Sequence, residues 1–365
     1  MGDPLRVGII GLGVISRQYL DTLRDHPTVR ITAVADIAPH RAAEVAAQTP
    51  GAHAIEVDEL LADPDVGMVL NLTVPAAHAD IALRAIAAGK GVYGEKPLAA
   101  NLPDAAAVVR AGADAGLRVL CAPDTVLGTG IQTARSVIER GAIGHPVGAA
   151  ATWSAPGHEA WHPHPDFYYR DGGGPLLDMG PYYLTSLCHL LGPIAAVTGR
   201  GSRRRSERTI ASGPRTGERV PVEVDTHVVA LLEHVGGALS TVTVSFDSAP
   251  SAAPPIEVFG ERASLVVPDP NRFDGDVILT DASTRESMTV APEAGYVAAG
   301  RGIGLVDAAR SGDGRASGHL ALHVLEVMTA ILTSARSYER IAIDSRPAIP
   351  PLVDLTDQAR WRAAG

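Results

Sequence analysis

The hydrophobic positions in the first third of the chain fall into short apolar runs separated by alanine-rich stretches. The runs read RVGII, ITAVAD, VGMVLNLT, GVYGEK and RVLCA, and the stretches between them space their apolar residues as helices do. Strands alternating with helices are typical of a parallel sheet covered by helices on both faces. The pattern therefore predicts an α/β, doubly wound domain over residues 1–125.

From residue 126 onward, apolar and polar positions alternate with a period of two. THVVALLEH and ALSTVTVSF flank a Val-Gly-Gly turn at residues 235–237, and IEVFG, ASLVV and DVILT follow at short spacing. Alternation and tight turns predict hairpins in a mostly antiparallel sheet. Helices are predicted over residues 129–140, 181–191 and 319–337. We expect an α+β domain over residues 126–365, with a C-terminal segment able to return to the first domain.

Composition narrows the class of protein. The 365 residues carry a net charge of −10 and only two cysteines, which argues against nucleic-acid or membrane-surface binding and against a disulfide framework. We find no apolar run of membrane length and no signal peptide, so we expect a cytoplasmic protein. The arginine-rich run at residues 200–208 is predicted to be a solvated loop.

A glycine motif follows the first predicted strand. Gly11 and Gly13 occupy the first two places of G-x-G-x-x-G, with Ser16 in the third, at a strand-to-helix turn that suits a dinucleotide pyrophosphate. Asp36 ends the second strand, where a carboxylate accepts from ribose hydroxyls. No arginine directly follows it, so the sequence predicts a Rossmann domain binding NAD rather than NADP. The intervening Val14 and Ile15 are included among the expected coenzyme-binding residues.

A second unusual stretch, EKP, ends the fourth predicted strand of the parallel sheet. Ligands of open α/β sheets bind beyond the carboxyl ends of the strands. Pro97 restricts the backbone of Lys96, so its ammonium group is aimed from that edge. We expect Glu95 and Lys96 to line the coenzyme site, with a plain surface charge as the alternative for Lys96.

Taken together, GIIGLGVIS, EKP and GGGPLLDMGPYYLTSLCHLLG resemble the Gfo/Idh/MocA oxidoreductase family over almost the whole chain. The resemblance implies an N-terminal Rossmann domain and a C-terminal α+β domain with a large, mostly antiparallel open sheet. It also implies an NAD(P)-dependent dehydrogenase or reductase of sugars, polyols or related diols. The open sheet of such proteins commonly serves oligomerisation, which implies a homodimer or homotetramer.

The resemblance also assigns site residues. Lys96 and Asp178 match the active-site lysine and aspartate, while Tyr182 stands where most members have histidine. That departure is similar to a tyrosine-bearing subset that includes dimeric dihydrodiol dehydrogenase and glucose–fructose oxidoreductase. The NLTVPAAHAD stretch matches the segment beside the nicotinamide, which adds to the expected coenzyme site the residues Thr73, Pro75 and His78.

The segment around Tyr182 reads as a helix that begins at Pro181, with an apolar stripe to which Tyr183 belongs and Tyr182 does not. We therefore interpret Tyr182 as functional. Our hypothesis makes Tyr182 the acid/base, Lys96 its electrostatic partner and Asp178 the group that orients the lysine or the substrate. Direct proton transfer by Lys96 is the rival mechanism.

A polar, aromatic segment precedes the glycine run at residues 172–174. Its histidines invite a metal interpretation, but His-Pro-His-Pro is extended and offers no helical ligand pair, so we predict no metal. Polyhydroxylated ligands need aromatic faces and hydrogen-bonding groups together. A plain structural loop is the alternative. Besides Lys96, Asp178 and Tyr182, the predicted substrate-binding residues are Trp161, His162, His164 and Tyr168.

These expectations favour an enzyme that transfers a hydride between nicotinamide and a secondary alcohol or ketone. Two alternatives stay open at this point. The protein could shuttle hydride between two sugars on a tightly bound coenzyme, or it could be a non-catalytic NAD-binding sensor.

Overall fold

The computed structural model describes residues 3–363, and a parallel sheet organises the N-terminal part. Within that range the sheet has six strands in the order β3-β2-β1-β4-β5-β6. Every neighbouring pair is parallel, which confirms the predicted doubly wound sheet. The strands are β1 (Leu5–Ile10), β2 (Val29–Ala35), β3 (His53–Ala54), β4 (Met68–Asn71), β5 (Gly91–Gly94) and β6 (Val119–Cys121).

Helices connect these strands and begin where the sequence supplies start signals. Pro39 and Pro75 take first-turn positions, where a missing N–H is harmless, and the Asn101 side chain accepts from the Asp104 N–H. The connecting helices are α1 (Ser16–Leu23), α2 (Pro39–Ala47), α3 (Val57–Ala62), α4 (Pro75–Ala87) and α5 (Leu102–Ala115). From later in the chain, α9 (Ile303–Ser311) contacts β2, and α11 (Gln358–Arg362) stacks its Trp361 on His26.

The chain divides into two compact units. The first takes in the residues up to Gln132, Pro292–Leu322 and the chain from Pro350 onward, and the second takes in Thr133–Ala291 and His323–Ile349. Two segments from late in the sequence thus belong to the first unit. The predicted domain boundary after residue 125 stays a prediction.

The second unit contains a nine-stranded sheet in the order β16-β15-β14-β13-β7-β12-β11-β8-β17. The β7–β12 pair is parallel and the other pairs are antiparallel, so the predicted mostly antiparallel sheet is confirmed. Its strands are β7 (Pro146–Ser154), β8 (Ile194–Ser202), β11 (His227–His234), β12 (Leu239–Ser245), β13 (Ile256–Gly260), β14 (Ala263–Val267), β15 (Val277–Asp281), β16 (Ser287–Val290) and β17 (Ile341–Ala342).

The remaining elements accompany this sheet. A separate two-stranded sheet pairs β9 (Glu207–Thr209) with β10 (Arg219–Pro221). The helices are α6 (Thr129–Glu139), α7 (Asp166–Tyr169), α8 (Pro175–Leu191) and α10 (Gly318–Ser337), with 3₁₀ turns at Thr125–Leu127 and His158–Ala160. Helix α8 packs against β7, β11 and β12, and the inward residues of these strands form the core beneath it.

Helix α8 begins earlier than the sequence predicted. Pro175 holds the first position after an N-cap at Gly174, and Pro181 lies inside the helix. Both prolines satisfy the start rule, but the earlier start buries one more apolar turn, including Leu176. The prediction of a helix beginning at Pro181 is therefore wrong, and Asp178 belongs to the helix.

Helices α9 and α10 lie late in the sequence. Helix α10 is long and apolar enough, by length and composition alone, to cross a membrane; 56% of its most apolar window is buried inside the protein. A core helix passes the same test, so this is weak evidence for a span. The glycine-rich stretch near residue 300 contains α9, and the Gly302 and Gly304 N–H groups at its start donate to Asp124 Oδ2.

Candidate active site

The turn after β1 has the shape that a dinucleotide pyrophosphate requires. Gly11 has φ of +92°, and a Cβ added there would lie 2.7 Å from the backbone of Leu72. A Cβ added at Gly13 would meet no atom within 4 Å, so open space lies beside this backbone. The buried Ser16 hydroxyl donates to the Gly13 carbonyl (2.7 Å), which holds the turn against α1. The residues present therefore fit a phosphate at this turn.

Asp36 is held beside the same turn. Its Oδ2 accepts from the Leu12 N–H (2.7 Å) and its Oδ1 accepts from the Ala38 N–H (2.8 Å). Each carboxylate oxygen retains a second lone pair that can accept from a ribose hydroxyl. Arg41 lies 3.9 Å from Oδ1. Arg41 was not predicted here because no cation directly follows Asp36 in the sequence; the first turn of α2 brings Arg41 back to it.

Apolar side chains stand exposed at the carboxyl ends of three parallel strands. Val14 follows β1, Ile37 follows β2 and Val74 follows β4, with 91%, 98% and 66% of their surfaces exposed. Exposed apolar groups around a polar turn are what the faces of an adenine or nicotinamide ring require. Val14 was among the predicted coenzyme residues, whereas Ile37 and Val74 were not. The available signal was an aliphatic residue in each turn that follows a strand.

The predicted coenzyme residues of the β4–α4 turn form a hydrogen-bonded cluster. The Thr73 hydroxyl donates to Asn71 Oδ1 (2.6 Å), and the buried His78 ring has Nδ1 at 2.6 Å from the Pro97 carbonyl oxygen and Nε2 at 3.0 Å from that of Thr73. The imidazole thus joins this turn to the chain directly after Lys96. Pro75 contributes the first position of α4.

Glu95 is engaged inside the first unit. Its Oε1 accepts from the Tyr19 hydroxyl (2.8 Å) and its Oε2 accepts from the Lys96 N–H (2.8 Å). Burial, followed by the charge of Glu95, raises the pKa of Tyr19 well above its usual value, so Tyr19 stays a donor. The Glu95 carboxylate therefore fixes the backbone that carries Lys96.

In the second unit, α8 places Asp178 and Tyr182 one turn apart on the same helix face. Tyr182 is 5% exposed. A 3₁₀ turn from another part of the chain reaches this face, because His158 Nε2 lies 2.9 Å from Asp178 Oδ2. His158 was not among the predicted site residues, since no spacing rule connects positions 20 residues apart in different elements.

Aromatic rings enclose His158. Its ring centroid lies 4.2 Å from that of Tyr168, 4.6 Å from Phe246 and 5.2 Å from Trp161. His162 lies between Trp161 and Tyr168, and burial is the main cause that lowers its pKa. The structure thus groups Trp161, His162 and Tyr168, three of the four predicted substrate residues of this segment.

The fourth, His164, is at the surface. Its backbone N–H donates to His162 Nδ1 (3.0 Å), and its side chain is exposed. Among residues 3–363, no group of three or more His, Cys, Asp or Glu side chains is placed to hold a metal ion.

A buried ion network supports the 3₁₀ turn. Arg208 Nη1 lies 2.9 Å from Glu159 Oε1, and Arg208 also pairs with Asp247. The Tyr169 hydroxyl donates to Glu159 and accepts from the His158 backbone N–H (3.1 Å). The arginine-rich run was predicted to be solvated, and for Arg208, whose side chain is 1% exposed, that prediction is wrong. Its two carboxylate partners keep it buried.

Comparison with protein families identifies both halves of the chain. Residues 5–122 match the model described as the oxidoreductase family, NAD-binding Rossmann fold. Residues 131–266 match the GFO/IDH/MocA C-terminal domain. The chain belongs to the GFO/IDH/MocA oxidoreductase family. The first unit therefore contains the NAD-binding Rossmann domain of that family, which includes the glycine turn after β1.

Three relatives of this GFO/IDH/MocA protein are named as dehydrogenases or reductases. It is 35% identical to dTDP-3,4-didehydro-2,6-dideoxy-alpha-D-glucose 3-reductase of Streptomyces violaceoruber over 57% of this chain and 61% of that protein. It is 26% identical to myo-inositol 2-dehydrogenase of Thermotoga maritima over 76% and 78% of the two chains. For trans-1,2-dihydrobenzene-1,2-diol dehydrogenase of Bos taurus the identity is 28%, over 73% and 75%.

Solved structures share this architecture. An NAD-binding oxidoreductase from Klebsiella pneumoniae superimposes with a TM-score of 0.82 at 26% identity, covering 93% of this chain and 99% of that one. Levoglucosan dehydrogenase in complex with NADH and levoglucosan gives 0.78 at 24% identity, covering 94% and 100%. At that identity the second likeness shows the fold.

Proposed function

We propose that this protein is an NAD-dependent dehydrogenase or reductase that moves a hydride between nicotinamide and a secondary alcohol or ketone of a sugar, polyol or related diol. The observation that carries the proposal is the pair Asp178 and Tyr182, one turn apart on α8, in the second domain of an NAD-binding oxidoreductase. The names of the relatives, which act on a deoxysugar nucleotide, an inositol and a diol, support the substrate class.

The side chains divide the work that the coenzyme leaves to the protein. When bound, NAD supplies the hydride acceptor. Tyr182 takes the alcohol proton on its phenol oxygen during oxidation and returns it during reduction. The ammonium group of Lys96 stabilises the phenolate, and the Asp178 carboxylate accepts from a substrate hydroxyl. In the rival mechanism Lys96 relays the proton. The Lys96 amine is then essential for the proton step, and the Tyr182 hydroxyl is not.

We propose NAD as the working coenzyme, with NADP as the weaker alternative. The carboxylate of Asp36, fixed by two backbone N–H groups, supports this choice because it repels a 2′-phosphate. Arg41 beside it reduces that repulsion. We therefore expect discrimination between the two coenzymes that is measurable and incomplete.

A substrate screen and one substitution test the function. Aldoses, inositols, anhydrosugars and glycosides are offered with NAD and with NADP while nicotinamide absorbance is followed. For the substrate found, Tyr182→Phe should lower kcat by about 10²–10⁴-fold, the range for a lost general acid–base, with the NADH Kd unchanged. The matched control is Tyr183→Phe, a neighbouring buried core residue, which should retain wild-type kcat.

Three results would favour an alternative. Wild-type kcat in Tyr182→Phe would remove Tyr182 from the proton step and favour Lys96. Binding of NADH with no turnover of any screened compound would favour a sensor. Purified protein that carries stoichiometric coenzyme would instead favour a sugar–sugar shuttle.

We further propose a cytoplasmic homodimer or homotetramer. The face of the nine-stranded sheet opposite α8 exposes Val229, Leu231, Leu239 and Phe259, which the strand register places on one side. Several exposed apolar side chains on one sheet face support self-association. Both cysteines are buried and free, as suits a reducing compartment. Light scattering that gives a monomer mass would contradict the oligomer.

A further inference from the structure

The contact between His158 and Asp178 has no place in the sequence motif. The resemblance puts a histidine four residues after the aspartate, and this chain has Tyr182 there instead. An imidazole nevertheless reaches the aspartate, from the 3₁₀ turn at His158–Ala160, with Nε2 at 2.9 Å from Asp178 Oδ2. We propose that His158 is a positioning residue for hydride transfer, which donates its Nε2–H to Asp178 and fixes that carboxylate for the substrate. This inference rests on the proposed function.

Hydrogen bonding decides which nitrogen of the His158 ring carries the hydrogen of this contact. Asp178 Oδ2 can only accept while the carboxylate is ionised, so Nε2 must carry the hydrogen. Within the described residues, His158 Nδ1 is buried and has no hydrogen-bond partner. A hydrogen on Nδ1 would be a buried donor without an acceptor, which costs free energy. The hydrogen of this contact therefore lies on Nε2, and His158 is its donor.

Packing prevents the ring from turning away. Tyr168 and Phe246 lie against it, with ring centroids 4.2 Å and 4.6 Å away. The His158 backbone N–H is held by the Tyr169 hydroxyl, and the next residue, Glu159, is paired with the buried Arg208. The donor thus sits on a fixed support, which is what a positioning residue requires.

The donated hydrogen bond decides what Asp178 can do. The hydrogen bond uses one lone pair of Oδ2, and the carboxylate keeps its other lone pairs. Asp178 then remains an acceptor for a substrate hydroxyl and leaves the proton transfer to Tyr182 or Lys96. The fixed orientation also aligns the acceptor before substrate binds, so its loss should lower kcat more than it weakens coenzyme binding.

Three variants and one double variant test this role. His158→Phe keeps a ring between Tyr168 and Phe246 and removes the donor, and it should lower kcat/KM by about 10–100-fold, the fold-change for a lost hydrogen bond to a charged group. His158→Gln can donate from its amide and should recover part of that loss. The double variant His158→Phe/Asp178→Asn should lose no more kcat/KM than Asp178→Asn alone, because His158 acts only through Asp178. NADH Kd should stay at the wild-type value throughout.

The matched control is His145→Phe, the same substitution on an exposed histidine of the second unit, and it should retain wild-type activity. Urea unfolding of every variant identifies losses that come from misfolding; if His158→Phe does not fold, the Gln variant and the spectra below decide. Nitrogen NMR of histidine-labelled wild-type protein should show a hydrogen on His158 Nε2, and Asp178→Asn should shift that signal.

Clear results would overturn the inference. Wild-type kcat/KM in His158→Phe, or losses that multiply in the double variant, would mean that His158 does not act through Asp178. A His158 signal with hydrogen on Nδ1 would remove the donor. In those cases an active wild-type enzyme leaves the proposed function standing. Absence of wild-type turnover with every screened substrate would overturn both, and the NMR contact with Asp178 would then record a structural pair only.

Discussion

The two units build their sites from different materials. In the first unit the coenzyme turn uses backbone and empty space, with Gly11, Gly13 and Ser16 inside one six-residue stretch. In the second unit the site depends on side chains far apart in the sequence: His158 contacts Asp178, and Arg208 holds Glu159 from 49 residues away. A backbone site is damaged by added atoms, whereas a side-chain site is damaged by lost partners. Substitutions should therefore separate the two units by the kind of defect they cause.

The largest effect should come from the buried network of the second unit. Arg208→Met leaves Glu159 and Asp247 buried without their cation, and removing one partner of a buried ion pair costs about 3–5 kcal/mol in the free energy of unfolding. Urea unfolding followed by tryptophan fluorescence measures this loss, since Trp153 and Trp161 lie in the second unit. The exposed Arg204→Met is the control. A loss below about 1 kcal/mol would contradict the supporting role of Arg208.

Acid should weaken the second unit through His189. Burial, and secondarily the charge of Arg135, lowers the His189 pKa to about 3. The unfolded ring binds a proton below its usual pKa of about 6.5, whereas the folded ring does not, so the free energy of unfolding falls as pH drops from about 6.5 towards 3. At pH 4.5 this loss is about 2–3 kcal/mol. His189→Asn should show a shallower decline between pH 6.5 and 4.5; equal slopes would show that His189 is not responsible.

Two alanine substitutions in the coenzyme turn should separate folding from binding. Gly11→Ala forces a left-handed φ and a Cβ against the Leu72 backbone, so it should lower the free energy of unfolding by about 1–3 kcal/mol. Gly13→Ala meets no protein atom, so it should fold normally and weaken NADH binding by about tenfold or more. Thermal unfolding and a fluorescence titration of NADH measure the two effects. Normal NADH affinity in Gly13→Ala would place the pyrophosphate elsewhere.

The smallest change concerns the choice of coenzyme. Asp36→Asn keeps an oxygen acceptor for one of the Leu12 and Ala38 N–H groups, leaves the other N–H facing an amide NH₂, and removes the negative charge, while Arg41 remains nearby. We expect the ratio of NADPH to NADH affinity to rise by about tenfold, equivalent to about 1.4 kcal/mol. Paired Kd measurements with both coenzymes test this, and an unchanged ratio would remove Asp36 from the discrimination.

Most of the fold could be predicted because its signals are local. Five of the six parallel strands were read from apolar runs, and the β11–β12 hairpin was read from alternation around Gly236 and Gly237. The predicted start of α8 was wrong because Pro175 and Pro181 both satisfy the preference of proline for the first helical position. The choice between them depends on burial of Leu176 in the folded unit, which a sequence pattern does not contain.

The candidate site could be predicted only where a motif holds it. The glycine turn and Asp36 follow from spacing. The contributions of Arg41, Ile37 and Val74 are recognised only in the folded structure, where the ends of the strands lie side by side. His158 and Arg208 were missed for a stronger reason. Each has a polar or charged side chain whose burial is stabilised by a distant partner, so a local reading assigns it to a surface.

The division of the chain into units has a consequence for anyone who wishes to exchange them. The polypeptide passes between the units four times, because Pro292–Leu322 and the residues from Pro350 belong with the Rossmann sheet. A fragment that stopped at residue 125 would lack the Ala316 carbonyl that pairs with Cys121 and the Gly302 and Gly304 amides that bind the buried Asp124. A transferable coenzyme-binding module must therefore combine three separate segments of the chain.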